Sequence, residues 1–229
     1  MPAGEPWLIR EPTWFSLPTE PLYRVHLAQY DATSPNPNTR ARFALPGTHA
    51  MLYAADSLEG ALWEALLRYV VIQPGGRCVV PSANLKGQVV SRVKWVGAEA
   101  RVLPLSRPGL LHLFPDGDGP AVAAVKAMTT TADHASTHPE AAALLNCLQG
   151  LTPPVTEMPI LSWKSRQFED STVYLSYHEP GAALNWVQEG PSKALDTPAG
   201  MLEIQDALRK HHFHWTPLNT LPPSAIEDP

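Results

Sequence analysis

Arg42, Tyr53 and Glu64 fall at equal intervals within RARFALPGTHAMLYAADSLEGALWEALLR, and they carry most of the chemistry that the chain displays. An arginine offers a planar fork of donors to a phosphate or carboxylate, which a lysine cannot match. A tyrosine can cover a flat ring, and a carboxylate can face a carbon that turns positive as its bond breaks. Together these types suit a ligand that joins an anionic group, an aromatic ring and a sugar. Farther along, Ser165 and Arg166 lie in the polar stretch Lys164 to Asp170, where a hydroxyl and a guanidinium can reach the same anion. A serine nucleophile has no support, because no histidine or aspartate can be tied to Ser165 by sequence. Taken singly, each residue has an ordinary explanation: a surface arginine, a core tyrosine, a solvated glutamate, a turn serine. Their joint order gives them weight.

The elements that must position these residues are legible in outline. Leu22 to Leu27 alternates as a strand, with Tyr23, Val25 and Leu27 on one face and Leu22, Arg24 and His26 on the other. Arg24 is thereby directed away from the main core. Ser34 to Arg40 is a loop, Pro46-Gly47 a turn, and Met51 to Ala54 a short strand. Asp56-Ser57-Leu58-Glu59 predicts a capping box, with Asp56 as the cap and Glu59 reaching back. The helix that follows carries an apolar stripe of Leu58, Ala61, Leu62, Ala65, Leu66 and Tyr69, which leaves Glu64 off the core side. Cys78 to Val80, Gln88 to Val93, Arg101 to Leu105, Ile160 to Trp163 and Thr172 to Tyr177 read as strands. Ala121 to Met128, Glu140 to Leu148 and Pro198 to Lys210 read as helices.

The chain has 229 residues, 44% hydrophobic and 17% charged, which suits one globular domain with many interruptions from its 25 prolines. A net charge of −5 without a Lys/Arg block argues against direct, nonspecific nucleic-acid binding. No apolar run approaches the roughly 18 residues that span a bilayer, and MPAGEPWLIREPTWF lacks the pattern of a signal peptide. Two cysteines, Cys78 and Cys147, form neither a disulfide framework nor a metal pair. The expectation is a soluble, cytoplasmic protein without a membrane partner. Lys210-His211-His212-Phe213-His214 invites a metal reading, since His211 and His214 could share a helix face, but no cysteine or carboxylate completes a set. No metal site is expected there, and His134 and His138 read as loop or cap residues. Pro74-Gly75-Gly76-Arg77 lacks the spacing and lysine of a phosphate loop and reads as a helix-ending turn.

Four pieces stand in order: LYRV at Leu22 to Val25, Arg42-Phe43, LYAADSLEGALWE at Leu52 to Glu64, and SWKSRQ at Ser162 to Gln167. This pattern resembles the RES domain, the toxin half of a bacterial toxin–antitoxin family. The resemblance divides the chain into an arm, 1–20, a domain, 21–180, and a C-terminal extension, 181–229. It implies an α+β fold of the ADP-ribosyltransferase-like type, with two small packed sheets around an NAD cleft and flanking helices. Arg42, Tyr53, Glu64 and Ser165 would form the catalytic site, with Arg24 and Arg166 as further substrate contacts. NAD is the implied substrate, cleaved at the nicotinamide–ribose bond with inorganic phosphate as co-substrate, and no cofactor is called for. The implied partner is an Xre-type antitoxin. The alternatives are ADP-ribosyl or pyrophosphoryl transfer to a protein such as phosphoribosyl pyrophosphate synthetase, and a non-catalytic nucleotide- or partner-binding module. A homo-oligomer is left open.

Overall fold

The computed structural model describes residues 7–98, 100–151, 158–179, 182 and 184–215. Strands β1 (Leu22–Leu27) and β2 (Ala50–Ala55) lead into helix α1 (Leu58–Ala65), and a hairpin of β3 (Val71–Gln73) and β4 (Arg77–Val79) follows. After β5 (Gln88–Trp95) and β6 (Val102–Pro104) come three helices, α2 (Arg107–Leu113), α3 (Pro120–Thr130) and α4 (His138–Gln149). The chain then forms β7 (Ile160–Lys164), β8 (Thr172–His178), β9 (Trp186–Gln188), β10 (Lys193–Ala194), α5 (Pro198–Arg209) and β11 (His214–Trp215). The class is α+β, as expected. Among the described residues there are two sheets of unequal size: eight strands, ordered β10-β5-β1-β2-β8-β7-β6 with β9 also on β5, and three, ordered β11-β4-β3.

Apolar residues on the central strands serve both faces of the large sheet. Met51 of β2 and Val173 and Leu175 of β8 enter the core under α2, α3 and α4, while Leu52 and Ala54 enter a second core with Leu22, Val93 and Trp186. Burial on both faces explains why β2 reads as a nearly continuous apolar run. A third core joins Leu62 and Leu66 of the α1 region to Ile204 and Leu208 of α5 and to Cys78. Each such leucine, fully buried, contributes about 1.5–3 kcal/mol.

The N-terminal arm is held by Trp7, edge-on to Phe114 at 5.8 Å, and by a bridge between Phe15 and Val102. The described part of the C-terminal extension is integral to the fold, since β9 and β10 pair with β5 and α5 packs on α1. The proline-rich strip after Trp215, the first six residues and the side chain of Tyr69 lie outside the description. Both cysteines are free. Among the described residues, no helix is long and apolar enough to cross a membrane.

Several local expectations are corrected. Pro74-Gly75-Gly76-Arg77 does not end a helix: it turns the β3–β4 hairpin, with Gly75 at φ 81 and Gly76 at φ 76, where residues with a Cβ are disfavoured. The cap of α1 is Ser57, whose Oγ accepts from the Gly60 amide at 3.0 Å, and Glu59 pairs with Lys210 instead of reaching back. Helix α5 stops at Arg209, so His211 and His214 do not share a helix face. His211 packs on Phe168, and His214 belongs to β11.

Buried His178 links the fold to pH. Ser176 Oγ accepts from Trp186 Nε1 at 3.0 Å and shares a hydrogen bond with His178 Nε2 at 2.9 Å. Burial, with Arg24 adding to it, brings the pKa of His178 from 6.5 to about 4. The unfolded chain therefore binds the extra proton first. The stabilisation is complete above pH 6.5 and is lost as pH falls toward 4. Denaturant titrations at pH 7 and pH 4.5 should show a loss of about 1–3 kcal/mol from this residue, absent in His178→Gln.

Candidate active site

Arg42, Tyr53, Glu64 and Ser165 come together beneath the C-terminal end of α1. Tyr53 projects from β2 on the same face as Met51 and stands edge-on to Trp163 of β7, with ring centroids 6.1 Å apart. Burial pushes the phenol's pKa up, with Arg42 opposing, so the ring stays neutral. Its aromatic face can cover a planar group, and its hydroxyl remains a donor.

Glu64 lies on α1 off the buried stripe, as expected, with its side chain 19% exposed. One carboxylate oxygen, Oε1, accepts from Ser165 Oγ at 2.6 Å, and the other, Oε2, faces an Arg42 guanidinium nitrogen at 3.8 Å. The carboxylate is thus oriented by two groups from distant parts of the chain.

Ser165, expected as a donor to an anion, makes its hydroxyl contacts within the protein. Its single O–H goes to Glu64, and its oxygen accepts the amides of Gln167 at 3.1 Å and Phe168 at 2.9 Å. In this arrangement the one O–H of Ser165 is spent on the carboxylate. Its geometry suits orienting Glu64. Ser165→Ala should therefore reduce turnover roughly 10- to 100-fold, the value of a hydrogen bond to a charged group. Loss of a serine nucleophile would instead cost on the order of 10⁶-fold. Steady-state rates separate the two.

Arg42 is buried, and two elements fix it. Its carbonyl accepts from Thr137 Oγ1, and His138 Nε2 donates to the neighbouring Ala41 carbonyl at 3.1 Å, so the chain is stapled to the start of α4. The guanidinium donates to Thr129 O at 2.5 Å, and Arg166 donates to Thr130 O at 2.7 Å. Both carbonyls belong to the last turn of α3, where the helix carries partial negative charge and lets two arginines stand near one another. Burial lowers the pKa of Arg42, with Glu64 and Tyr53 pulling it back up.

Two adjoining cavities meet at this point. One, of 660 Å³, is lined by Tyr23, Tyr30, Tyr53 and Trp163 among others. The second, of 420 Å³, holds Arg40, Arg42, Arg68 and Arg166, with Glu64 and Asp133 as its carboxylates. Arg42, Glu64, Arg68 and His134 belong to both. Burial lowers the pKa of His134, and Arg42, Arg68 and Arg166 lower it further, which marks the second cavity as electropositive.

Arg24 also lines the larger cavity, yet its guanidinium donates to Ala32 O at 2.6 Å and Ser34 O at 2.7 Å. Burial brings it down to about 10, with Asp31 pulling the other way. It braces the loop that forms the cavity wall. Sequence patterns assign no cavity role to Arg68, His134 or Trp163, which line the cavities in the structure. Arg68 follows Glu64 by one helical turn and was open to discovery by that spacing. His134 and Trp163 enter only through the tertiary fold.

These features define an α+β protein whose cleft presents an oriented carboxylate between an aromatic-lined and an arginine-lined cavity. No protein-family profile matches the chain, and no curated protein matches it. Among solved structures, a chain of the M. tuberculosis MbcT–MbcA toxin–antitoxin complex is similar at 15% identity and a TM-score of 0.47, covering 78% of this chain and 87% of that one. Neither value is high enough to assign a fold or an activity.

Proposed function

We propose that this chain cleaves the nicotinamide–ribose bond of NAD, with inorganic phosphate as acceptor. The observation that carries the reading is the placement of Glu64, held by Ser165 and Arg42, where the two cavities join. The ring-lined cavity suits the nicotinamide and its ribose, with Tyr53 against the ring. The arginine-lined cavity suits the acceptor anion, for which Arg42, Arg68 and Arg166 supply charge.

Nicotinamide is cationic within NAD and leaves with the electron pair of the C1″–N bond as a neutral ring, so no strong acid is required. Positive charge then builds on the ribose, and an oriented carboxylate stabilises that charge more in the transition state than in the ground state. A phosphate oxygen forms the new bond to C1″, giving ADP-ribose 1″-phosphate. The ADP-ribosyltransferase-like arrangement, the growth-arresting role through NAD depletion and the Xre-type partner belong to this proposal on the strength of the sequence resemblance.

Purified protein incubated with NAD, with and without phosphate, tests it. Release of free nicotinamide that requires phosphate is expected. Label from adenine-tritiated NAD appearing on protein would indicate transfer to a protein acceptor instead, and no turnover would leave a binding module.

A further inference from the structure

The loop that meets the Glu64 carboxylate also makes contacts at the other end of α1. The loop from Ser165 to Ser171 runs beside α1 and touches it at both ends. At the C-terminal end the contact is Ser165 to Glu64. At the N-terminal end Ser171, 1% exposed, donates from its hydroxyl to Asp56 Oδ1 at 2.5 Å and accepts from Ser57 Oγ at 3.0 Å. The same Asp56 oxygen accepts the Thr172 amide at 3.0 Å. Between these contacts a Cβ added at Gly60 would lie 2.0 Å from Ser171 Oγ, so the helix has no side chain where the loop crosses it. The loop is also closed on itself: Ser165 N donates to Ser171 O at 2.9 Å and Ser171 N donates to Phe168 O at 2.9 Å.

We propose that Asp56 and Ser171 are positioning residues for the reaction, a clamp that holds Ser165 against Glu64. This rests on Glu64 being the catalytic carboxylate. The Ser171 carbonyl sets the Ser165 backbone, and the Ser171 hydroxyl is itself set by Asp56. Releasing either allows the Ser165 hydroxyl to leave the carboxylate, and a displacement of about 1 Å at a reacting group can cost roughly 100-fold in rate. What the clamp takes from Asp56 is one oxygen that accepts two hydrogen bonds. An asparagine can supply that oxygen.

The test compares Asp56→Ala, Ser171→Ala and Asp56→Asn in the full chain. Both alanine variants should lose roughly 10- to 100-fold in kcat with little change in KM for NAD, while Asp56→Asn stays within about threefold of the parent. Amide hydrogen exchange supplies a readout independent of turnover. Gln167 and Phe168, whose amides donate to Ser165 Oγ, should exchange at least about tenfold faster in the alanine variants and not in Asp56→Asn. Gly60→Ala should act like Ser171→Ala and provides a further variant if one fails to fold. Folded alanine variants with parental kcat and exchange would overturn the clamp, as would an asparagine variant as impaired as Asp56→Ala. A parent chain that cleaves no NAD would overturn the role of Glu64, while the exchange pattern would still decide whether the clamp exists.

Discussion

Glu64→Gln should reduce NAD cleavage about 100- to 1000-fold, the effect of removing one preorganised electrostatic partner from a transition state, with KM for NAD changed little. Glutamine preserves the shape of the side chain and retains a carbonyl oxygen that can accept from Ser165, so the loop contact at 2.6 Å has a substitute. What disappears is the negative charge opposite Arg42 and, in the proposed reaction, beside the ribose. The fold should survive, because Glu64 lies off the buried face of α1 and its pairing with Arg42 is a 3.8 Å contact and not a close hydrogen-bonded bridge. A thermal midpoint within about 2–4 °C of the parent, equivalent to roughly 1 kcal/mol, is expected. Initial rates of nicotinamide release, measured beside the melting curve, separate lost chemistry from lost structure. Parental activity in Glu64→Gln would remove the carboxylate from the mechanism.

Arg42→Lys should be nearly as damaging, about 100-fold in rate, although it conserves charge. The guanidinium serves three partners at once: Thr129 O at 2.5 Å, the Glu64 carboxylate, and the anion expected in the second cavity. A lysine ammonium presents a compact charge without the planar fork and cannot hold that geometry. Because the side chain is only 9% exposed, the shorter ammonium would also leave an imperfectly satisfied charge in the site. The impairment should be greatest at low phosphate and only partly relieved by raising it, since both acceptor binding and the orientation of Glu64 are affected. A rate curve against phosphate concentration distinguishes this outcome from a purely structural defect, which would reduce the rate equally at every concentration.

The residues of the site were legible because they lie in or beside elements with strong local patterns. β1 alternates and β2 is an apolar run of strand length, and α1 shows a stripe that leaves Glu64 on the outer flank. The sharing of roles between Asp56 and Ser57 was not legible. Both are competent caps, and the choice falls to Ser57 because Asp56 is taken by Ser171 and Thr172, more than a hundred positions away. The same distance hid the true contacts of Ser165, whose hydroxyl turns inward to Glu64 and not outward to an anion. Strand β3 and helix α2 were missed because three residues or a seven-residue helix beginning with Arg-Pro-Gly carry too little periodicity to register. The electropositive second cavity has a comparable origin. Arg40, Arg68 and Arg166 are scattered through a chain of net charge −5 and form a cluster only when the loop before β2, the turn after α1 and the loop after β7 meet.

The central claim is most directly tested by a ³¹P NMR time course of the purified chain with NAD and inorganic phosphate. The expected spectrum loses the NAD pyrophosphate signals and gains the pyrophosphate and the equimolar 1″-phosphate ester signals of ADP-ribose 1″-phosphate, at the expense of inorganic phosphate. Unchanged NAD and phosphate signals, at enzyme concentrations stoichiometric with substrate, would contradict it.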